Sequence, residues 1–384
     1  MESEGSDEAD CERDRAGGRA VRVSRRRAMA GIGFSTASAA LLTSGAAVGA
    51  GSTPQGPLPV LPVGTEDWTA ALAETPQVQL VPGAVYRLTR TAELPDGCFL
   101  AGNGATVTVA EPSYGAFAVR ERSDVTVADV RFLGQDADPL GTGIVPAHVG
   151  LRSSRSTNVR VLDCDFTHWR GAGIAVTGAE RDDYFGYRVK VSGCSFHRCY
   201  FGVSTADRSE YSQLTGNSFA YCRLAVWNSS GNWTVNDNTV VACYGAYYSF
   251  SKSSPYGTAN GPHGDNWGHG SLVGNTFNHS NNGAPGGLWR RGAAFPLGGV
   301  PRDPGAGVVV DGVLPPTFSG NTLWYTDLRA TGILGTRWLL SGSSFSHLDI
   351  SCTGRAWVHL AGTQSRSAET APRFRGKVKD LLPG

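Results

Sequence analysis

The stretch "VLDCDF" (residues 161–166) returns down the chain as "VSGCSF" (191–196), "LTGNSF" (214–219), "VNDNTV" (235–240), "LVGNTF" (272–277), "FSGNTL" (318–323) and "LSGSSF" (340–345), with "VADVRF" (127–132) before it. Its fourth position runs Val130, Cys164, Cys194, Asn217, Asn238, Asn275, Asn321 and Ser343, and the shortest intervals between successive members are 21, 22 and 23 residues. A fixed period near 22 built from short apolar-polar alternations, with no helical spacing, is the mark of a solenoid of stacked strands. The third position alternates Gly193, Gly216, Gly274, Gly320 and Gly342 with Asp129, Asp163 and Asp237. These types tolerate a left-handed bend between two strands, so the aspartates read as turn formers rather than metal ligands.

A second strand follows in several coils: "AGIAVTG" (172–178), "FGVSTAD" (201–207), "LAVWNSS" (224–230) and "GAYYSFS" (245–251). Alternation places Ile174, Val176, Val203, Val226 and Tyr247 inside, and Ser204, Trp227 and Tyr248 outside. Equivalent residues of neighbouring coils stand about 4.8 Å apart, so like stacks on like. The asparagines of the fourth position then form a buried ladder whose amides bond between coils.

The same register accounts for the cysteines. Seven of the eight lie beyond residue 50, at Cys98, Cys164, Cys194, Cys199, Cys222, Cys243 and Cys352. Cys199, Cys222 and Cys243 hold one column, five residues after the fourth position, and Cys164 and Cys194 hold another. Small thiols filling inner columns are expected in preference to disulfides, and no CxxC pair suggests zinc.

Residues 1–50 read as an address. Arg25, Arg26 and Arg27 precede a weakly apolar Ala/Gly/Ser/Thr-rich run ending in small residues near Ala50. This is the layout of a twin-arginine export signal, which implies a secreted protein. The run is too short and too poor in Leu, Ile and Phe for stable membrane insertion. The chain carries 34 basic and 33 acidic residues, a net charge of +1, and has no long basic run, so no nucleic-acid partner is expected. Residues 51–75 read as a linker and a capping helix, 76–360 as the solenoid and 361–384 as a C-terminal tail or cap. The helix is "TEDWTAALAE" (65–74), with Thr65 as N-cap and acids in its first turn, placed to cover the open apolar end of the solenoid.

On the repeats, and on the opening segment "VQLVPGAVYRLTRTAELPDGCFLAGNGA" with its Pro82-Gly83, Tyr86 and Pro95-Asp96-Gly97, the chain resembles the pectate-lyase-like superfamily. The resemblance covers roughly residues 76–350. It implies an all-β fold, a single-stranded right-handed parallel β-helix of three-stranded coils, with a substrate groove outside one sheet. It also implies mostly carbohydrate chemistry: lyases, hydrolases, esterases and epimerases acting on acidic polysaccharides. Gly268-His269-Gly270 is similar to the histidine motif of the polygalacturonase-type hydrolases, but their paired-aspartate motif is missing a coil earlier. The first Arg-x-Lys is Arg375-Gly376-Lys377, near the chain end.

Two long inserts locate the candidate chemistry. The fourth-position interval stretches to 37 residues between Asn238 and Asn275 and to 46 between Asn275 and Asn321. Long loops on a rigid scaffold are where binding and catalysis reside. The first insert, "SKSSPYGTANGPHGDNWGHG", brings Lys252, Tyr256, His263, Asp265, Trp267 and His269; the second brings Trp289, Arg290, Arg291, Arg302 and Asp303. Both spring from adjacent coils and can form two lips over one groove, with Trp227 and Tyr248 beside them as a platform for sugar rings or as packing under a loop.

A lyase acting on a uronate must neutralise the carboxylate and remove the neighbouring proton. Arg290 and Arg291 suit the first task, and His263, His269, Lys252 or Tyr256 the second. Tyr256, Trp267 and Trp289 join Trp227 and Tyr248 as substrate contacts. A hydrolase would need two carboxyl groups across the bond, for which Asp265, Asp303 and Asp311 are available. A metal set of His263, Asp265 and His269 lacks a helix to fix its geometry, so the cofactor expectation is none, or Ca2+. The favoured reading is an exported carbohydrate-active enzyme, a polysaccharide lyase or epimerase-like enzyme acting on an acidic glycan. A non-catalytic glycan-binding β-helix, a glycoside hydrolase, and an enzyme isomerising or cyclising a small metabolite stay open beside it.

Overall fold

The computed structural model describes residues 56–135, 143–178, 186–251, 253–257, 270–280, 307–346, 349–365 and 372–381. The solenoid is present as read. Successive strands fall in rotation into three parallel sheets, of 13, 11 and 11 strands among the described residues; Val60–Leu61 pairs with the next strand, Gln77–Leu80, and from there on each strand pairs with the third one along the chain. This is a right-handed parallel β-helix, the hand expected when a right-twisted strand crosses over to a parallel neighbour.

The repeat explains its own geometry. In one coil, Lys190–Ser192 belongs to the first sheet, Gly193 makes the bend, and Ser195–His197 belongs to the second. The bend residue is left-handed whether it is glycine or aspartate: φ is 70° at Gly193, 54° at Asp163 and 58° at Asp237. The sixth position stacks phenylalanines down the interior. Phe132, Phe166, Phe196 and Phe219 lie 4.6, 5.1 and 4.7 Å apart in sequence and nearly parallel.

The fourth position forms the expected ladder. Asn238 Nδ2 donates to Asn275 Oδ1 (3.0 Å) and Leu214 O (2.9 Å), while its own Oδ1 accepts from both the backbone N–H and Nδ2 of Asn217, each at 3.0 Å. Asn275 and Asn321 continue the chain of bonds in the same way. Asn217, Asn238, Asn275 and Asn321 are all buried, so every amide replaces water lost by the bend backbone. The seven described cysteines are free and buried. Burial pushes the thiols of Cys164, Cys199 and Cys243 well above the ordinary range and that of Cys98 up to about 12.

The capping helix spans Trp68–Glu74 and buries Trp68 and Leu72. Trp68 meets Tyr86 edge-on at 5.3 Å and Phe117 at 5.6 Å, closing the apolar end of the first coils. Its N-cap is Asp67, not Thr65: the Asp67 carboxylate accepts from Ala70 N at 3.1 Å, while the Thr65 hydroxyl is turned back to Pro62 O. The helix therefore starts later than the sequence suggested, and no acid lies in its first turn.

The third sheet differs from the others. Its strands Val149–Ser154, Ala172–Thr177, Phe201–Ala206 and Gly245–Phe250 have six residues, where Arg160–Leu162 and Asp165–Thr167 of the first and second sheets have three. Longer strands give it a broad outer face. The loops that break the period all connect at its edges.

Candidate active site on the third sheet

The two inserts attach at opposite ends of neighbouring third-sheet strands. The first leaves the C-terminal end of Gly245–Phe250, and the second rejoins at the N-terminal end of Val308–Asp311, its hydrogen-bonded neighbour. Gly307, at the point of return, donates its N–H to Asp327 O at 2.9 Å and lies so close to Ser280 that a Cβ there would meet Ser280 O. Both ends of the second insert are thus clamped to each other at the sheet edge. Lys252, His263, Asp265, Trp267, His269, Trp289, Arg290, Arg291, Arg302 and Asp303 lie outside the described residues.

The aromatic platform expected from Trp227 and Tyr248 is not a surface. Both side chains point out of the solenoid, in the column Ala175, Ser204, Trp227, Tyr248, Val309. Both are nevertheless fully buried, in a second apolar cluster with Tyr200, Phe201, Leu224, Tyr244 and Tyr256. Tyr256 is an interior ring as well, set edge-on to Phe201 at 6.4 Å. It sits in a short strap, residues 253–257, held by a bridge between Ser254 and Gly257 and by Tyr256 N donating to Ser254 Oγ. Alternation told which side of the strand these rings take, and the first turn of the insert then covers them. Burial also pushes the Tyr256 phenol far above its ordinary range, which removes it as a base at neutral pH. Its hydroxyl has no hydrogen-bond partner among the described residues.

Beyond this plug, toward the C-terminus, the outer face opens into a cleft of about 360 Å3. Asp327, Arg329, Asp349, Ser351, Thr353 and Arg375 line it. Register makes it a grid, because Leu328 pairs with Ile350, Arg329 with Ser351, and Ser351 with Arg375. The inward residues of these strands, Leu328, Ala330, Ile350 and Cys352, are core, so the alternate residues are left to face outward. Asp349 N donates to Asp327 Oδ1 at 2.8 Å, linking the two acids on consecutive coils. Asp349 is itself held by Arg373 Nε at 2.7 Å and Arg375 Nη2 at 2.6 Å, one arginine on each oxygen. Arg329 Nε donates to Thr331 Oγ1 at 3.2 Å.

An aromatic ledge borders the same coils at the corner between the second and third sheets. Half-buried His279 and Tyr325 stack at 4.7 Å, and Trp324 lies against Tyr325 at 5.8 Å. His279 is next to Ser280, where the second insert departs, and Tyr325 is two residues before Asp327. Sequence reasoning missed this ledge and this cleft. A signal was present: an aspartate falls six residues after the ladder position in two consecutive coils, Asn321 to Asp327 and Ser343 to Asp349.

The cleft does not fit Ca2+. That ion takes six to eight oxygen ligands, and here both oxygens of Asp349 are occupied by arginines. Among the described residues no group of three or more His, Cys, Asp or Glu is gathered as a metal site, and no helix is long and apolar enough to cross a membrane.

Comparisons with known proteins give one family-model match, one relative by sequence and several solved structures of low identity. A family model described as adenovirus EB1 55K protein / large t-antigen matches residues 62–252. The E1B 55 kDa protein of Human adenovirus B serotype 7 is 23% identical over 172 residues, 42% of this chain and 31% of that protein, so the chain spans about a third of its relative. Among solved structures, the A-module of the Azotobacter vinelandii mannuronan C-5 epimerase AlgE6 is 12% identical with a TM-score of 0.48, over 83% of this chain and 94% of that one. The catalytic domain of a GH87 α-1,3-glucanase, as its D1045A variant in complex with nigerose, is 10% identical with a TM-score of 0.48, over 86% and 70%. The Streptococcus pneumoniae surface protein and adhesin PfbA is 11% identical with a TM-score of 0.40, over 83% and 95%.

Proposed function

We propose that the protein is an exported β-helix enzyme that acts on an acidic glycan along the outer face of the third sheet, by elimination or epimerisation at a uronate. The observation that carries the reading is the charged cleft of Asp327, Arg329, Asp349 and Arg375 at the root of the second insert, with the Trp324, Tyr325 and His279 ledge on the preceding corner of the coils. Arginine guanidinium groups in an open groove are suited to a sugar carboxylate, which a lyase or epimerase must neutralise before the adjacent C–H can ionise. Half-exposed aromatic rings beside them are suited to the apolar face of a sugar.

Within the cleft, the state of its two acids, Asp327 and Asp349, favours elimination over hydrolysis. A glycosidase needs one protonated and one free carboxyl across the scissile bond. Asp349 is committed to two arginines, and Asp327 Oδ1 accepts a backbone N–H, so neither is poised as a general acid. In the elimination reading, Arg329 takes the carboxylate, and His279 and Tyr325 are the titratable groups on the ledge available to move the proton. The insert residues Arg290, Arg291, His263 and His269 remain candidates to complete the lip, and twin-arginine export through Arg25 to Arg27 remains part of the proposal.

The test is incubation with a panel of uronate polymers, following the ultraviolet absorbance of an unsaturated product separately from reducing ends. A lyase raises both signals, a hydrolase raises reducing ends alone, and an epimerase changes the sugar composition with neither. Arg329→Gln is expected to lower kcat/KM by about a hundredfold, the loss of one charge-assisted contact made to a developing charge. Full activity in Arg329→Gln and Asp327→Asn would remove the cleft from the reaction.

A further inference from the structure

A second opening lies on the same outer face, about six strands toward the N-terminus from the cleft, or roughly 29 Å at the spacing of paired strands. It is a cavity of about 160 Å3 bounded by Tyr114, Phe117, Ala118, Arg120, Val149 and Arg152. We propose that this cavity is a binding subsite for the carboxylate of a uronic-acid unit, separate from the C-terminal cleft. It rests on the glycan reading above and adds to it a second contact on the same substrate class.

Register creates the hollow. Arg152 stands between Ala118 on one neighbouring strand and Ala175 on the other, so a long cationic side chain is flanked by methyl groups. Tyr114 forms a fixed wall: its hydroxyl donates to Leu88 O at 2.9 Å and accepts from Ala110 N at 3.0 Å. Thr91 is spent on Gly115 O.

Among the described residues Arg152 has no counter-charge. It makes no ion pair among the described residues, and its Nε is buried with no hydrogen-bond partner. Its guanidinium lies 6.0 Å from the Tyr256 ring centre, a cation–π contact that orients the group without using its donors. Arg120 is the other cation at the cavity, and it is half-spent on Glu93 at 3.3 Å in an exposed pair. A part-buried cation with an unspent donor, between an aromatic ring and an apolar wall, is complementary to a single carboxylate attached to a sugar ring.

The experiment follows the Arg152 Nε–Hε resonance in the full chain, titrated with glucuronate, with methyl glucoside and with acetate. Glucuronate is expected to shift the resonance and to bind at least about tenfold more tightly than either of the others, since only it offers both the charge and the ring. Arg152→Lys should weaken glucuronate about tenfold, because ammonium cannot reproduce the planar fork. Arg120→Gln, an exposed substitution that leaves folding intact, should weaken it by a smaller factor, and Asp327→Asn should leave it unchanged. Equal affinity for glucuronate and methyl glucoside, equal affinity for acetate, or indifference to both arginine variants would overturn the subsite. Uronate polymers that are still processed while Arg152 stays silent would overturn the subsite alone. An Arg152 response to glucuronate, with polymers neither retained nor processed, would support the subsite and count against the polymer reading.

Discussion

Replacing Asn238 with alanine tests the internal ladder directly. The substitution removes one hydrogen bond from each of three buried groups: the Asn217 backbone N–H, the Asn217 Nδ2, which keeps its other bond to Val191 O, and the Leu214 carbonyl. Asn275 Oδ1 keeps the backbone N–H of residue 238, so it is not orphaned. A buried hydrogen bond lost with one partner left behind costs about 1 to 3 kcal/mol, and three at the lower half of that range amount to about 4 kcal/mol, a large share of the stability of a typical domain. Asn217→Ala is the internal control. It orphans two groups, the Cys194 N–H and the Val191 carbonyl, and should cost about 2 to 3 kcal/mol. Urea unfolding followed by far-ultraviolet circular dichroism measures both. Asn238→Asp separates acceptor from donor: it keeps an oxygen for the Asn217 N–H but buries a charge at neutral pH, so it should be at least as costly as alanine and recover on acidification. A loss below about 1 kcal/mol in Asn238→Ala, or one no larger than in Asn217→Ala, would show that the ladder is filler and refute the account.

Two other outcomes follow from burial. The Cys98 thiol is raised from 9.0 to about 12, so the folded state holds its proton more tightly. Its contribution is complete below pH 9 and lost as pH rises toward 12, at about 1.4 kcal/mol per pH unit for one proton. Cys98→Ala should therefore flatten the alkaline fall of the urea midpoint by about one proton, and an unchanged slope would contradict this. The Tyr256 hydroxyl is buried without a partner among the described residues, so Tyr256→Phe should leave activity intact and raise stability by about 1 kcal/mol; loss of turnover in a stable Tyr256→Phe protein would return Tyr256 to the chemistry.

The fold was legible because a solenoid repeats one environment many times. Asn217, Asn238, Asn275 and Asn321 each meet the same neighbours, so one column could be read from the spacing of its members. The Asp129 and Gly193 bends were legible for the same reason, since left-handed backbone restricts the residue types. The site was not legible in this way. Alternation puts Trp227 and Tyr248 on the correct side of their strands, but a period of two carries no information about the strap at 253–257 that covers them. Arg375 lies near the chain end in sequence, yet parallel stacking brings it against Asp349, 26 residues earlier. In a solenoid, distance along the chain and distance in space are related by coil number, and the coil offset is the quantity that finds such pairs.

That separation has a consequence for how the outer face can vary. The bonds that hold the coils run through the interior, in the asparagine ladder and the phenylalanine stack, while Asp327, Arg329, Ser351 and Arg375 project from the opposite side of strands whose inward residues are core. Substitution of the outward grid therefore leaves the ladder and the stack in place, and exposed charged pairs are themselves worth little to stability. The exception is the root of the second insert. There Gly307 contacts Ser280 and Asp327 together, so the loop, the ledge residue His279 and the cleft share one anchoring point. A side chain at position 307 must displace the Ser280 backbone, and through it both the ledge and the cleft. The fold can thus exchange the groove's chemistry residue by residue, but it cannot change the seat of the insert without moving the groove.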